Sequence, residues 1–369
     1  MKSERQTVAI LFGGVSAEHD VSVVSARSVS RSIDGERFEP VLVGIDKNGS
    51  WYLGTGAFDL LETGQIHDVE RVILSTDAQR RGFLSLESGR LIEVDAVFPV
   101  LHGPRGEDGT MQGLLELSGI PYAGCDTMSS AIAMDKDMTK RVLAQRGLPV
   151  VKGVSMTAWM WATDKAEVLK EISETLNFPL FVKPATMGSS IGITKAHSTD
   201  EMIRGIDIAL SYSTKVIIEE AVQSPLEVEV AVLGNNEPRA SVPGQVVPCS
   251  EFYDFDAKYV DNSSELIIPA VLGKTLTEDI RFAAVDAFAA IGGSGMARVD
   301  FLVSRGEYFV NEINTIPGFT GISMYPKLWE ASGIAYADLI TALIDLAFKR
   351  HRELGALTKT IQLDKKLGC

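Results

Sequence analysis

Cysteine is scarce: three in 369 residues (Cys125, Cys249 and Cys369), widely spaced and without a Cys-x-x-Cys pair. That excludes a disulfide framework and argues against a zinc site. Basic residues are also in the minority, 35 Lys and Arg against 49 Asp and Glu, for a formal net charge of −14. A general nucleic-acid surface wants a basic stripe, so nucleic acid is not an expected partner. No apolar run approaches the about 18 residues that a membrane span needs. Nor does an apolar stretch resembling a signal peptide precede the first strand, so the expected setting is the cytoplasm, away from membrane. Internal repeats and low-complexity segments are missing, as are the GxGxxG and Walker A patterns.

The composition is that of an ordinary globular protein, 45% hydrophobic and 23% charged, and the length predicts two or three domains rather than one core. Val8-Ala9-Ile10-Leu11-Phe12 reads as a buried strand ending in Gly13-Gly14. The helix that follows is expected to carry Val21, Val24 and Val29 on one side. Glu18 and His19 sit at its start, where the helix dipole alone would favour a carboxylate. Strands are expected at 40–45 and 95–101, with a turn at Asn48-Gly49 between them and a fourth short strand beginning at 119–124. Strands alternating with helices predict a parallel α/β unit ending near residue 125.

From Met134-Asp135-Lys136-Asp137 the pattern changes to hairpins mixed with helices. Strand 179–184 delivers Lys183 into Gly188-Ser189-Ser190-Ile191-Gly192, a turn whose backbone amides can approach phosphate oxygens. Strands are also predicted at 216–222 and 227–232, with Glu227 and Glu229 read as a solvated face. The polar, aromatic-rich stretch 249–265 has the length of a closing loop.

Two further strands, 297–303 and 308–314, form a hairpin. A three-residue loop at 305–307 would pair 304 with 308, setting Asp300 opposite Glu312 and Arg298 opposite Asn314. Val299, Phe301, Val303, Phe309 and Ile313 then share the apolar face, with Asn311 as its exception. Opposed carboxylates destabilise each other unless a cation lies between them. Asp300 and Glu312 suit Mg²⁺, which binds through one or two carboxylates plus substrate phosphates. A solvated face with an ion pair to Arg298 is the alternative.

Taken in order, these stretches resemble the D-alanine–D-alanine ligases of the ATP-grasp superfamily. The resemblance is carried by Phe12-Gly13-Gly14-Val15-Ser16-Ala17-Glu18-His19, Leu101-His102-Gly103, Gly106-Glu107-Asp108-Gly109-Thr110, Met134-Asp135-Lys136, and Phe181-Val182-Lys183-Pro184 with Gly188 to Gly192. It continues in Tyr253-Asp254, Ala257-Lys258-Tyr259, Arg298-Val299-Asp300, Asn311 to Thr315, Pro317-Gly318 and Ser323. It runs from about residue 7 to 350.

The implied fold is α+β with three domains: an N-terminal parallel α/β domain (1–125), a central one (126–230) and a C-terminal one (231–369), with nucleotide between the last two. The implied cofactors are ATP and two Mg²⁺ (or Mn²⁺), and the implied partners are two D-alanine molecules and a second copy, as a homodimer. By resemblance, Lys136 and Lys183 hold phosphates, with Gly188 and Ser190 in the flap over them. Glu219, Ala221 and Val222 receive adenine, Glu227 the ribose, and Asp300, Glu312 and Asn314 the metal ions. Glu18, Ser189 and Tyr259 form a chain at the first D-alanine. Arg298 and the Gly318 amide form the oxyanion site, Ser323 and Lys258 lie near the second D-alanine and the transferred phosphate, and His102 assists on the substrate side. An extra residue or two around Gln223-Ser224-Pro225 departs from the family pattern.

Overall fold

The computed structural model describes residues 5–77, 79–247 and 265–358. Cys249, Cys369, Lys258, Tyr259 and all of the expected closing loop except Glu265 lie outside the described residues.

Three sheets make the frame. In the first, Gln6–Gly13 lies between Phe38–Ile45 and Ala96–Val100, parallel to both. Val8 to Phe12 are completely buried, as an unbroken apolar run requires of a central parallel strand covered on both faces. Beyond Phe38–Ile45 the sheet turns antiparallel. Gly49, at φ +88°, lets the chain reverse into Trp51–Leu53, and strands Glu70–Leu74, Gly82–Ser85 and Leu91–Glu93 follow outward. Those three outer strands carry no sequence expectation. The fourth short strand reduces to a single parallel bridge, Val97 with Tyr122.

Helix His19–Ser32 turns Ser22, Val23, Ala26 and Val29 inward. Val21 and Val24 do not join Val29; they line a cavity instead, and Val24 is 54% exposed. That corrects the expected face by about one residue step of the helix.

The second sheet is antiparallel throughout, in the order Thr194–Ala196, Leu180–Pro184, Lys215–Glu220, Gly153–Thr157. Val182, Val216 and Ile218 face a core closed by helices Lys165–Thr175 and Thr199–Leu210. Alternation sends Phe181, Lys183, Ile217 and Glu219 to the other face.

The third sheet runs Glu265–Ile267, Gly244–Val247, Leu226–Gly234, Gly295–Ser304, Glu307–Asn314, with Arg239–Ala240 beside the third of these. Strand Leu226–Gly234 passes through residue 230, the expected boundary, and pairs along its whole length with Gly295–Ser304. Its apolar face packs on helix Lys274–Ala290 and on Ala133 and Leu143 from helices Thr127–Met134 and Lys136–Gln145.

The hairpin closes through two residues rather than three. Arg305 and Gly306 stand at φ +54° and +83°, as a two-residue type I′ turn demands, and Ser304 pairs with Glu307. A bulge then inserts Asn311, because Val310 opposes Phe301 while Glu312 opposes Asp300. The short loop and the extra residue cancel, so Asp300–Glu312 and Arg298–Asn314 come out as expected. Phe309 does not: it pairs with Leu302 on the Asp300 face, and Val310 takes its place in the core. The extra residues near Gln223 are tied to this turn, where Arg305 donates to Gln223 Oε1 at 2.7 Å and Ser304 to Gln223 O at 2.7 Å.

One core spans the chain. Ile10, Phe12, Phe98 and Val100 meet Phe319, Tyr325, Trp329, Leu339 and Leu343, the last four borne on helices Met324–Ala331 and Tyr336–Gly355. Among the described residues no single helix is long and apolar enough to cross a membrane. Cys125 is buried and free, its thiol pushed up to about 11 by burial.

Candidate active site

The ends of all three sheets converge on a cavity of about 550 Å³, within the range of small-molecule sites. From the first sheet come Glu18, His102, Gly103 and Glu107; from the loop of the second, Gly188 and Ser189. Lys136, Glu229, Arg298, Glu312, Asn314, Gly318 and Ser323 complete it from the third and its helices.

Glu18 forms the N-cap position of helix His19–Ser32 yet makes no cap hydrogen bond with its side chain. Instead it crosses to the second sheet's loop and accepts a 2.5 Å hydrogen bond from Ser189 Oγ. The dipole alone therefore does not account for Glu18. Gly103 stands at φ +75°, a left-handed conformation that favours glycine, and a Cβ there would also press on Glu18 Oε2 at 2.8 Å and Ser16 Oγ at 2.7 Å. Ser189 and Ser190 hold positive φ (+51° and +59°), which turns the flap over the cavity edge.

His102 is buried, with Nδ1 3.0 Å from Ile316 O and 3.7 Å from Glu107 Oε1. Burial works against its protonation, but Glu107 and Glu18 outweigh it and raise its pKa. Nε2 has no hydrogen-bond partner among the described residues. Glu107 belonged to a recognised stretch but carried no expected role. Its own carboxyl is pushed up, first by burial.

Arg298 is the electrostatic centre of the third sheet's face. Its Nε and Nη2 each donate to Asp300 at 2.7 Å, and Nε lies 3.0 Å from Glu229. Burial opposes its charge, yet Asp300 and Glu229 keep it firmly protonated. Glu229 is thus not on a solvated face: its side chain is 12% exposed and lies opposite Asp300 in the strand register. Local sequence could not show this, because the partner lies on a neighbouring strand.

Glu312, opposite Asp300, has Lys136 Nζ at 3.4 Å. Lys136 also donates to Met187 O at 2.7 Å, joining the helix to the flap. Asn314 Oδ1 is buried with no hydrogen-bond partner among the described residues. Two carboxylates, one free amide oxygen and a local excess of negative charge fit a hard divalent cation.

One helical turn beyond Lys136, Lys140 takes part in a buried ion cluster. Glu219 is 2% exposed and has Lys140 Nζ 2.6 Å from Oε1 and Lys183 Nζ 2.6 Å from Oε2. Burial pushes the Glu219 carboxyl up, but the two lysines prevail and hold it at about 2. Burial wins at Lys140 and lowers its pKa, whereas at Lys183 the pull of Glu219 exceeds burial and raises it. Lys140 was not expected in the site. Ala221 and Val222 are half-buried past the end of strand Lys215–Glu220, with the Ala221 amide donating to Pro179 O. Glu227 pairs in register with Leu302, which itself pairs with Phe309, so all three border the Asp300 face.

Gly318 approaches Ser323, whose Oγ would lie 3.1 Å from an added Cβ. Ser323 Oγ contacts Thr320 Oγ1 at 2.7 Å and accepts from the Thr320 amide at 3.1 Å.

The family model for the D-ala D-ala ligase N-terminus matches residues 7–125 and that for the C-terminus residues 142–345. A D-alanine–D-alanine ligase of Heliobacterium modesticaldum is 45% identical over 353 residues, covering 95% of this chain and 96% of the relative. One from Thermoanaerobacter sp. is 46% identical over 357 residues, covering 95% and 98%. Among solved structures, the D-alanine–D-alanine ligase from Coxiella burnetii superposes with a TM-score of 0.84 at 35% identity, covering 96% of this chain and 97% of that one. The VanG D-Ala:D-Ser ligase from Enterococcus faecalis does so with a TM-score of 0.84 at 38% identity, covering 93% and 100%. Sequence, fold and the convergence of three sheets on one cavity agree: the chain belongs to the D-alanine–D-alanine ligase family, with the ATP-grasp fold.

Proposed function

We propose that the protein joins two D-alanine molecules into D-alanyl-D-alanine with hydrolysis of ATP, through an acyl phosphate, as a step toward peptidoglycan precursors. The observation that carries this reading is the single cavity in which Glu18 and Ser189, Lys136, Arg298, Gly318 and Ser323 face one another across three sheets.

The carboxylate of the first D-alanine attacks the γ-phosphorus, and ADP leaves. Such a transfer calls for positioning and charge neutralisation, which Lys136 and Lys183 supply under the Gly188–Ser190 flap. Glu18, oriented by Ser189, accepts the ammonium of that first substrate. The neutral amine of the second D-alanine then attacks the acyl carbon, phosphate departs and the amine loses a proton. Arg298 and the Gly318 amide receive the developing oxyanion. Ser323 lies beside Gly318, where the second substrate's carboxylate arrives.

Asp300, Glu312 and Asn314 would hold Mg²⁺ or Mn²⁺, which when bound neutralises phosphate charge. Adenine at Glu219, Ala221 and Val222, ribose at Glu227, and Lys258 and Tyr259 in the closing loop rest on family resemblance. So do the expected homodimer, which light scattering on the purified protein tests, and the cytoplasmic setting.

The test is phosphate release with ATP and Mg²⁺, comparing D-alanine, L-alanine, and D-alanine paired with D-lactate or D-serine. D-serine is included because the VanG neighbour uses it. Release with D-alanine alone and a dipeptide product are expected; release only with a second substrate other than D-alanine would overturn the substrate assignment.

A further inference from the structure

Lys140 belongs to none of the roles above, yet it is 7% exposed and ion-paired at 2.6 Å to a carboxylate that is itself 2% exposed. Asp135 caps helix Lys136–Gln145 by accepting from the Asp137 and Met138 amides. The cap sets Lys136 and Lys140 one turn apart on the same side of the helix. That helix packs on strand Glu307–Asn314 of the third sheet. Lys183 and Glu219, by contrast, are diagonal neighbours on the second sheet, since Lys183 pairs with Ile217 and Glu219 with Phe181. Lys140 therefore reaches Glu219 from a different layer of the molecule.

The groups in direct contact here are one carboxylate and two ammonium groups, with Glu312 acting on both lysines and Glu227 on Lys183 from further away. Each oxygen of Glu219 serves one lysine. A buried carboxylate with a single counter-ion holds it fast, because removing that ion leaves an uncompensated charge. With two counter-ions, one can leave.

We propose that Lys140 is a positioning residue for the nucleotide: it is the standing counter-charge of Glu219 and so frees Lys183 to exchange that carboxylate for polyphosphate oxygens. The inference rests on the ATP reading above and adds a residue to it. Lys140 does not touch the nucleotide; it sets the cost of moving Lys183. The long reach and compact charge of lysine suit the role, and arginine preserves the charge.

The test uses the full chain and four variants: Lys140→Met, Lys140→Arg, Glu219→Gln and the double variant K140M/E219Q. Lys140→Met is expected to raise KM for ATP by about tenfold or more, leaving KM for D-alanine within about twofold. Lys140→Arg should recover most of that loss. In the Glu219→Gln background, adding Lys140→Met should cost less than about threefold, because the carboxylate it neutralised is gone. Equal losses in both backgrounds, or a Lys140→Met variant with unchanged KM for ATP, would overturn the proposal. If Lys140→Met does not fold, a loss of more than about threefold between Glu219→Gln and the double variant, which buries no orphan carboxylate, still overturns it. Absence of ATP-dependent phosphate release in the unaltered protein overturns the nucleotide reading first, and this proposal with it.

Discussion

At the scale of single residues, the site separates charges that must act from charges that only hold. Glu312 lies opposite Asp300 and near Lys136, with a side chain 32% exposed. Removing its charge also removes a like-charge repulsion across the strands. Glu312→Gln should therefore cost turnover at least about a hundredfold while leaving the denaturation midpoint unchanged or slightly raised. Near-normal turnover at ordinary Mg²⁺ would exclude Glu312 as a metal ligand. Glu219 behaves differently, because its pKa falls from 4.5 to about 2 on folding. A depressed carboxylate contributes stability above its unfolded pKa and loses it as pH falls through the folded one. The urea midpoint of the unaltered protein should exceed that of Glu219→Gln above pH 4.5, and the gap should close toward pH 2. A gap independent of pH would mean that Glu219 is not buried as an ion.

At the scale of elements, close approaches decide more than propensity does. Helix Thr199–Leu210 touches the second sheet at Gly205, where a Cβ would stand 2.3 Å from Thr194 Oγ1 and 3.3 Å from Val182 Cβ. On an open helix face, Gly→Ala stabilises by about 1 kcal/mol. Here overpacking, at about 1–3 kcal/mol, reverses the sign. Gly205→Ala should lower the melting temperature, and adding Thr194→Ala should restore part of the loss; a rise on Gly205→Ala alone would show that the helix can shift freely. The hairpin marks how far elements are legible in sequence. Alternation reveals both strands, whereas the expected Asp300–Glu312 pairing holds only because the shorter loop and the Asn311 bulge cancel. The two-residue turn was hidden because Arg305 adopts positive φ without the Asn, Asp or Gly that usually signals it. The Asn311 bulge is hidden too, since a bulge changes phase without changing composition, and so alternation places Phe309 in the core whereas it pairs with Leu302 on the Asp300 face. Glu229 and Lys140 escaped for a related reason. Their partners, Arg298 and Glu219, come from other strands, and a window along one segment cannot see them.

At the scale of the whole molecule, the residues near 1–125 read in sequence as a self-contained α/β unit, and one of its cores is indeed its own: Leu11, Val43, Phe83, Val97 and Leu115 pack together. Its other face is closed from far along the chain. Phe98 meets Phe319 edge-on with centroids 5.6 Å apart, and helix Tyr336–Gly355 packs against strand Ala96–Val100 and helix His19–Ser32. Arg350 donates to Tyr122 O at 2.9 Å, its guanidinium lies 4.4 Å from the Tyr122 ring centre, and Arg37 pairs with Asp345 at 2.7 Å. Each large apolar side chain returned to water forfeits about 1.5–3 kcal/mol, and Phe98, Val100 and Ile33 all border that contact. Such losses are comparable with the whole stability of a small domain. Residues 1–125 expressed alone should therefore bind a hydrophobic dye such as ANS and melt without a sharp transition. Co-expressed with 126–369 as a second chain, they should co-purify and lose the dye signal. A dye-silent fragment with a cooperative melt would show that the inner core suffices, and that the C-terminal helix serves the cavity's geometry rather than the unit's folding.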